Sequence, residues 1–150
     1  MLRVVLAGIA VAVGATAVLA QSSPLEQRNA AMKAIWQDGF RSITLMARGR
    51  EPYDQAKVDT GFAKLSEIAP KLQPLWPEGS QGVAPNANFS SSAKVWQTKA
   101  DFDAKLAAFA KAVADNRGKA KNLDQLKVVF EKVNKTCDDC HESYRVRVAR

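Results

Sequence analysis

From Leu123 to Tyr144 the apolar positions recur at steps of three and four: Leu123, Leu126, Phe130, Val133, Cys137, Cys140 and Tyr144. Such spacing lays one stripe along a helix and predicts a long amphipathic element packed by that face. Asn122, just before the stripe, has the side chain of an N-cap. A second pattern of the same period, Phe102, Leu106, Phe109 and Val113, predicts a helix over about 101–116, closed near Gly118. A third, Val58, Phe62, Leu65 and Leu72, predicts a helix from Asp54 to Leu72, with Asp54 as cap and Pro74 and Pro77 preventing continuation.

The first helix is predicted to open at Ser23-Pro24, a cap followed by proline at the first helical position. It continues through Leu25, Met32, Ile35, Trp36, Ile43 and Met46 to Gly49. Gly39 in its middle lowers helix propensity and suggests close approach of a neighbour or cofactor, or simple tolerance. Between Leu75 and Ser92 the chain holds Pro77, Gly79, Gly82, Pro85, Asn86 and Asn88, which predicts one long crossover loop. A short helical turn is expected at Ala93–Trp96. No strand pattern of useful length and no internal repeat is visible. The expectation is an all-α, antiparallel up-down-up-down four-helix bundle, whose core can hold a cofactor between facing side chains.

The chemistry sits on the last stripe. Cys137-Asp138-Asp139-Cys140-His141 reads as a c-type haem attachment site. Two thiols three residues apart share a helical face and can form thioethers to two vinyl groups of one porphyrin. His141 then offers an imidazole to the iron. Both cysteines of the chain and its single histidine are used here. A zinc knuckle would need a further ligand pair. A thioredoxin-like redox pair would sit beside a βαβ pattern. A disulfide would close a very short loop and contribute little. Haem c, one per chain and covalently held, explains the run best.

The N-terminus bears on compartment. Arg3 precedes the uncharged stretch Val4–Ala20, and Val18-Leu19-Ala20 ends it where a signal peptidase would cut. Residues 1–20 are therefore expected to be a secretory signal and residues 21–150 one cytochrome domain in an oxidising periplasm. The stretch is slightly short for a membrane anchor, which needs about 20 apolar residues. The chain carries a net charge of +7; losing Arg3 with the leader leaves 21 basic and 15 acidic residues, or +6. This excess is dispersed rather than run together. It suits redox partner proteins with acidic docking surfaces and argues against nucleic acid. No stable membrane insertion is expected once the leader is gone.

The sixth ligand follows from helix rise. In an up-down-up-down bundle the first and last helices run antiparallel. His141 is about six residues, about 9 Å, from the expected end of the last helix, and Met32 is about 12 Å into the first helix. Met46 would be about 33 Å in. Met32 is the methionine near the level of His141, as an iron ligand or as soft packing over the haem.

The chain resembles class II c-type cytochromes, the cytochrome c′ family, over essentially the whole mature length; that family is itself a type example of the bundle topology named above. Cys137-Asp138-Asp139-Cys140-His141-Glu142-Ser143-Tyr144-Arg145 resembles the family's terminal signature. Gly49-Arg50-Glu51-Pro52-Tyr53-Asp54 resembles its first interhelix turn, and Lys94-Val95-Trp96 with Phe102-Asp103 the entry to its third helix. Ala31-Met32-Lys33 is most similar to the low-spin branch, in which an early methionine ligates iron. The resemblance implies Met32 as the second metal ligand beside His141. It implies Arg28, one turn before Met32, near a haem propionate; a solvated surface arginine is the alternative. Trp36, Trp96 and Tyr144 are expected to pack around the porphyrin or to serve as ordinary core aromatics. Arg145, one turn after His141, either shapes the electrostatics there or caps the helix.

An electron-transfer protein cycling ferric and ferrous haem, with His/Met ligation, is the function these residues favour. The alternative is a five-coordinate cytochrome c′-like protein binding NO or CO, should Met32 not coordinate. No paired carboxylates or nucleophile–base set marks an enzyme. Relatives occur as monomers and dimers, so a homodimer is compatible with the chain.

Overall fold

The computed structural model describes residues 22–149. The expected leader, residues 1–20, lies outside the described residues.

Helix α1 (Pro24–Ala34) opens with a reciprocal capping box. Ser23 Oγ accepts the Glu26 N–H, and Glu26 Oε2 accepts the Ser23 N–H at 2.8 Å. The expected single first helix is interrupted. A π-helical segment, Ile35–Phe40, separates α1 from α2 (Arg41–Ala47). Gly39 lies in that segment and abuts Gly61 of α3 (Gln55–Ile68). A Cβ on Gly39 would come within 2.7 Å of Leu65 Cδ2, and one on Gly61 would meet the Gly39 carbonyl oxygen and Ile43. The neighbour that Gly39 admits is therefore the second helix, not a cofactor. Periodicity does not reveal a π turn, because one extra residue shifts the stripe without removing it.

Asp54 caps α3, its Oδ1 accepting the Lys57 N–H at 3.1 Å. The helix stops at Ile68 rather than Leu72. Pro70 cannot donate to the carbonyl four residues back, and a 3₁₀ turn, Ala69–Lys71, takes over. Pro70, not Pro74 or Pro77, is thus the effective terminator.

After the loop come β1 (Phe89–Ser91), α4 (Lys94–Gln97), α5 (Lys99–Asn116), α6 (Leu123–Tyr144) and β2 (Arg145–Arg147). Asn122 caps α6, its Oδ1 accepting the Gln125 N–H at 2.9 Å. The all-α bundle stands, with two short strands added to it. They pair antiparallel, with Phe89 opposite Arg147, Ser90 opposite Val146 and Ser91 opposite Arg145. Three-residue strands distant in sequence are too short to show a period of two. Because α6 ends at Tyr144, His141 lies about 4.5 Å from the helix end rather than about 9 Å.

The α1–π–α2 rod, α3, α5 and α6 are the four members of the bundle. Ile43, Met46, Phe62, Leu65, Leu126 and Val133 are fully buried between them. Phe40 stacks on Phe130 with centroids 5.4 Å apart. Eight residues earlier in the first rod, Met32 shares a cavity with His141, eleven residues later in α6. The two rods therefore run antiparallel, as expected.

Candidate haem site

The sequence puts Cys137, Cys140 and His141 on the packed side of α6, near its C-terminal end, where the facing rods leave a gap. Met32 and Ile35 from the first rod, Leu72 from the turn after α3, Lys105, Leu106 and Phe109 from α5, and Thr136, Cys137, Cys140 and His141 from α6 line one narrow slot of about 50 Å³. Met32 and His141 thus meet across a single cavity. Met46 does not take part. It is wholly buried elsewhere in the core, and its Sδ accepts the Asp54 N–H at 3.2 Å.

Both thiols are free and half-buried. Burial, with Asp138 and the neighbouring thiol, pushes Cys137 up to about 11, and burial raises Cys140. These are neutral thiols, unlike the low-pKa thiolates of redox pairs. Burial, reinforced by the charge of Arg145, lowers His141 and keeps its imidazole neutral, as a metal ligand requires. Among the described residues no group of three or more His, Cys, Asp or Glu forms a metal cage. The two sulfurs and the imidazole do not converge on one point, as they would around zinc. Spread along one helical face opposite a thioether, with apolar walls, they fit a flat macrocycle carrying its own metal.

Arg28 and Tyr144 are not among the residues lining the slot. Arg28 is buried beneath the loop, where it donates to Ser80 O at 2.6 Å, to Ser80 Oγ at 3.1 Å and to Leu75 O at 3.5 Å. Its guanidinium also lies 5.6 Å from the Trp96 ring. It straps the crossover to α1. Tyr144 is buried behind the slot, its ring edge-on to Phe102 at 5.1 Å and its hydroxyl donating to Asp101 at 2.6 Å. Trp36 is 49 % exposed, and Trp96 donates to Pro77 O at 3.0 Å, so neither indole lines the cavity. Helical spacing assigned these aromatics to a face but could not assign them to a depth.

Sequence reading missed Lys105 and Thr136. Lys105 flanks the Phe102–Leu106–Phe109 stripe, and its charge acts on Cys140. A lysine beside such a stripe, at the level of the cysteines, was the available signal.

A sequence model of the cytochrome c′ family matches residues 23–145. The chain belongs to the cytochrome c′ family. Cytochrome c-556 of Rhodopseudomonas palustris is 38 % identical over 149 residues, covering 97 % of each chain. Cytochrome c-555 of Bradyrhizobium diazoefficiens is 34 % identical over 135 residues, covering 90 % of this chain and 91 % of its own. An NMR-validated structure of oxidized R. palustris cytochrome c556 superposes with a TM-score of 0.73 at 35 % identity, over 86 % of this chain and all of the other. The family's cofactor is covalent haem c, and the Cys137–His141 run supplies its attachment chemistry.

Proposed function

We propose that the protein is a periplasmic carrier of single electrons, in which Cys137 and Cys140 would hold haem c through thioethers and His141 and Met32 would bind its iron. The observation carrying this reading is that Met32 and His141 line one slot from antiparallel rods. Bound haem supplies a one-electron couple between ferric and ferrous iron. The protein's residues position and insulate it. Burial holds His141 neutral, and Ile35, Leu72, Leu106 and Phe109 exclude water from the slot. Two ligands anchored in packed rods leave little to rearrange between redox states. That favours fast transfer to a partner.

Residues 1–20 direct export and are removed. The described residues contain no helix long and apolar enough to cross a membrane. Partners present acidic surfaces to the basic domain.

Absorption spectra of the haem-loaded protein test this. The expected ferric spectrum is low-spin, with a weak methionine–iron band in the near infrared. Met32→Ala turns it high-spin and opens the iron to carbon monoxide, whereas Met46→Ala leaves it low-spin. A wild-type high-spin spectrum with rapid carbon monoxide binding would instead establish a gas binder.

A further inference from the structure

The ribbon at the end of the haem helix carries an unusual arrangement of charge. Phe89 is 42 % exposed, and two guanidinium groups lie over its ring, Arg145 at 4.6 Å and Arg147 at 5.6 Å from the centroid. Arg145 and Arg147 alternate along β2 and so share one face of the ribbon. Many helical lysines spend their charge locally. Lys64 and Lys71 pair with Glu67, Lys99 with Asp103, Lys111 with Asp115 and Lys135 with Asp139. Among the described residues neither ribbon arginine has a carboxylate within ion-pair distance. A guanidinium resting on an aromatic face loses little further freedom on binding, and its N–H edge remains open to carboxylate oxygens.

We infer that this ribbon face, with Phe89 under Arg145 and Arg147, is where a redox partner bearing clustered carboxylates docks. The inference rests on the carrier reading and locates its partner surface. The ribbon is fixed to the haem helix. The Ser92 N–H donates to Tyr144 O at 2.9 Å, Ser92 Oγ to Ser143 O at 3.2 Å and the Val148 N–H to Asn88 O at 3.0 Å. Arg145 stands four residues past His141, about 6 Å along the helix axis, so a partner seated here is close to the haem. The family match ends at Arg145. Phe89 and Arg145 lie inside that match, and Arg147 lies beyond it. An exposed aromatic ringed by arginine is also the composition that anchors protein interfaces.

Two probes test the surface on the full haem-loaded protein. Ferricyanide, a trivalent anion, takes one electron from the ferrous protein and becomes ferrocyanide, with no proton transferred. Arg147→Gln should slow this roughly fourfold at low ionic strength, the difference vanishing in high salt. Lys119→Gln, an equal charge change at the far end of α6, should have a much smaller effect. Poly-L-glutamate, followed by backbone NMR, should shift residues 89–91 and 145–147, and the shifts should weaken in Phe89→Ser, which keeps both charges. Equal slowing by Arg147→Gln and Lys119→Gln would overturn the inference, leaving only net charge. Loss of binding to phosphatidylglycerol vesicles in Arg147→Gln, with both other readouts unchanged, would assign the patch to lipid instead. Failure of the carrier reading shows separately, as absence of a reversible one-electron wave while the polyglutamate shifts persist.

Discussion

At the scale of single residues, two methionines of the same rod have opposite environments. Met32 is half-buried on the haem slot, whereas Met46 has no exposed surface and its sulfur accepts a backbone N–H. Truncation therefore separates function from stability. Met32→Ala should change the ligand spectrum at a small stability loss. Met46→Ala should keep the spectrum but lower unfolding free energy by about 2–5 kcal/mol, the usual range for emptying a buried methionine site. Denaturant titration of both variants checks this. Asn122→Ala removes the cap of the haem helix and should cost about 1 kcal/mol, seen in the same titration. Arg28 shows the limit of residue-level reading. The resemblance implied a place for it near a haem propionate, and its observed hydrogen bonds run to Ser80 and Leu75. Those acceptors belong to a loop without periodicity, so no pattern pointed there.

At the scale of elements, the π-helical segment is the feature that decides where Met32 faces. It begins three residues after Met32 and contains Gly39, whose backbone meets Gly61. One extra residue per turn rotates everything before it by about 100° relative to an uninterrupted α-helix. Gly61→Ala places a methyl against the Gly39 carbonyl oxygen, where backbone cannot yield. The expected outcome is a lower melting temperature and a growing high-spin fraction as the first rod is pushed from α3. Thermal melts read with the visible spectrum check both. Gly39→Ala should be milder, because its clash is with the end of the Leu65 side chain. The period of the stripes located each helix, and Ser23, Asp54 and Asn122 located their starts. Ends were less legible. Pro70 and the π turn act through backbone hydrogen bonding, which an apolar pattern does not record.

At the scale of the whole molecule, charge is arranged in local pairs on helix faces and left open on the ribbon. The Ser23 backbone and hydroxyl lower Glu26, the Lys64 and Lys71 ammonium groups lower Glu67, and Lys111 lowers Asp115. A carboxylate with a depressed folded pKa adds stability above its unfolded pKa. That stability is lost as pH falls through the folded value. The protein should therefore lose stability below the ordinary carboxylate range. Ser23→Ala should flatten part of that acid limb while leaving neutral-pH spectra unchanged, as melts across pH would show. All three groups are exposed, so solvent screening keeps each contribution small.

The sequence by itself determined the attachment chemistry, the four amphipathic helices and the antiparallel order that brings Met32 level with His141. These follow from local spacing and from the rise of a helix, quantities any stretch of chain carries. Only the tertiary structure decided which aromatics reach the slot, that Lys105 lines it, that Gly39 answers Gly61 and that the chain beyond the haem helix pairs with Phe89–Ser91. Each depends on contacts between segments distant in sequence. Their partners are chosen by how the rods pack, and no periodicity along one segment encodes the surface of another.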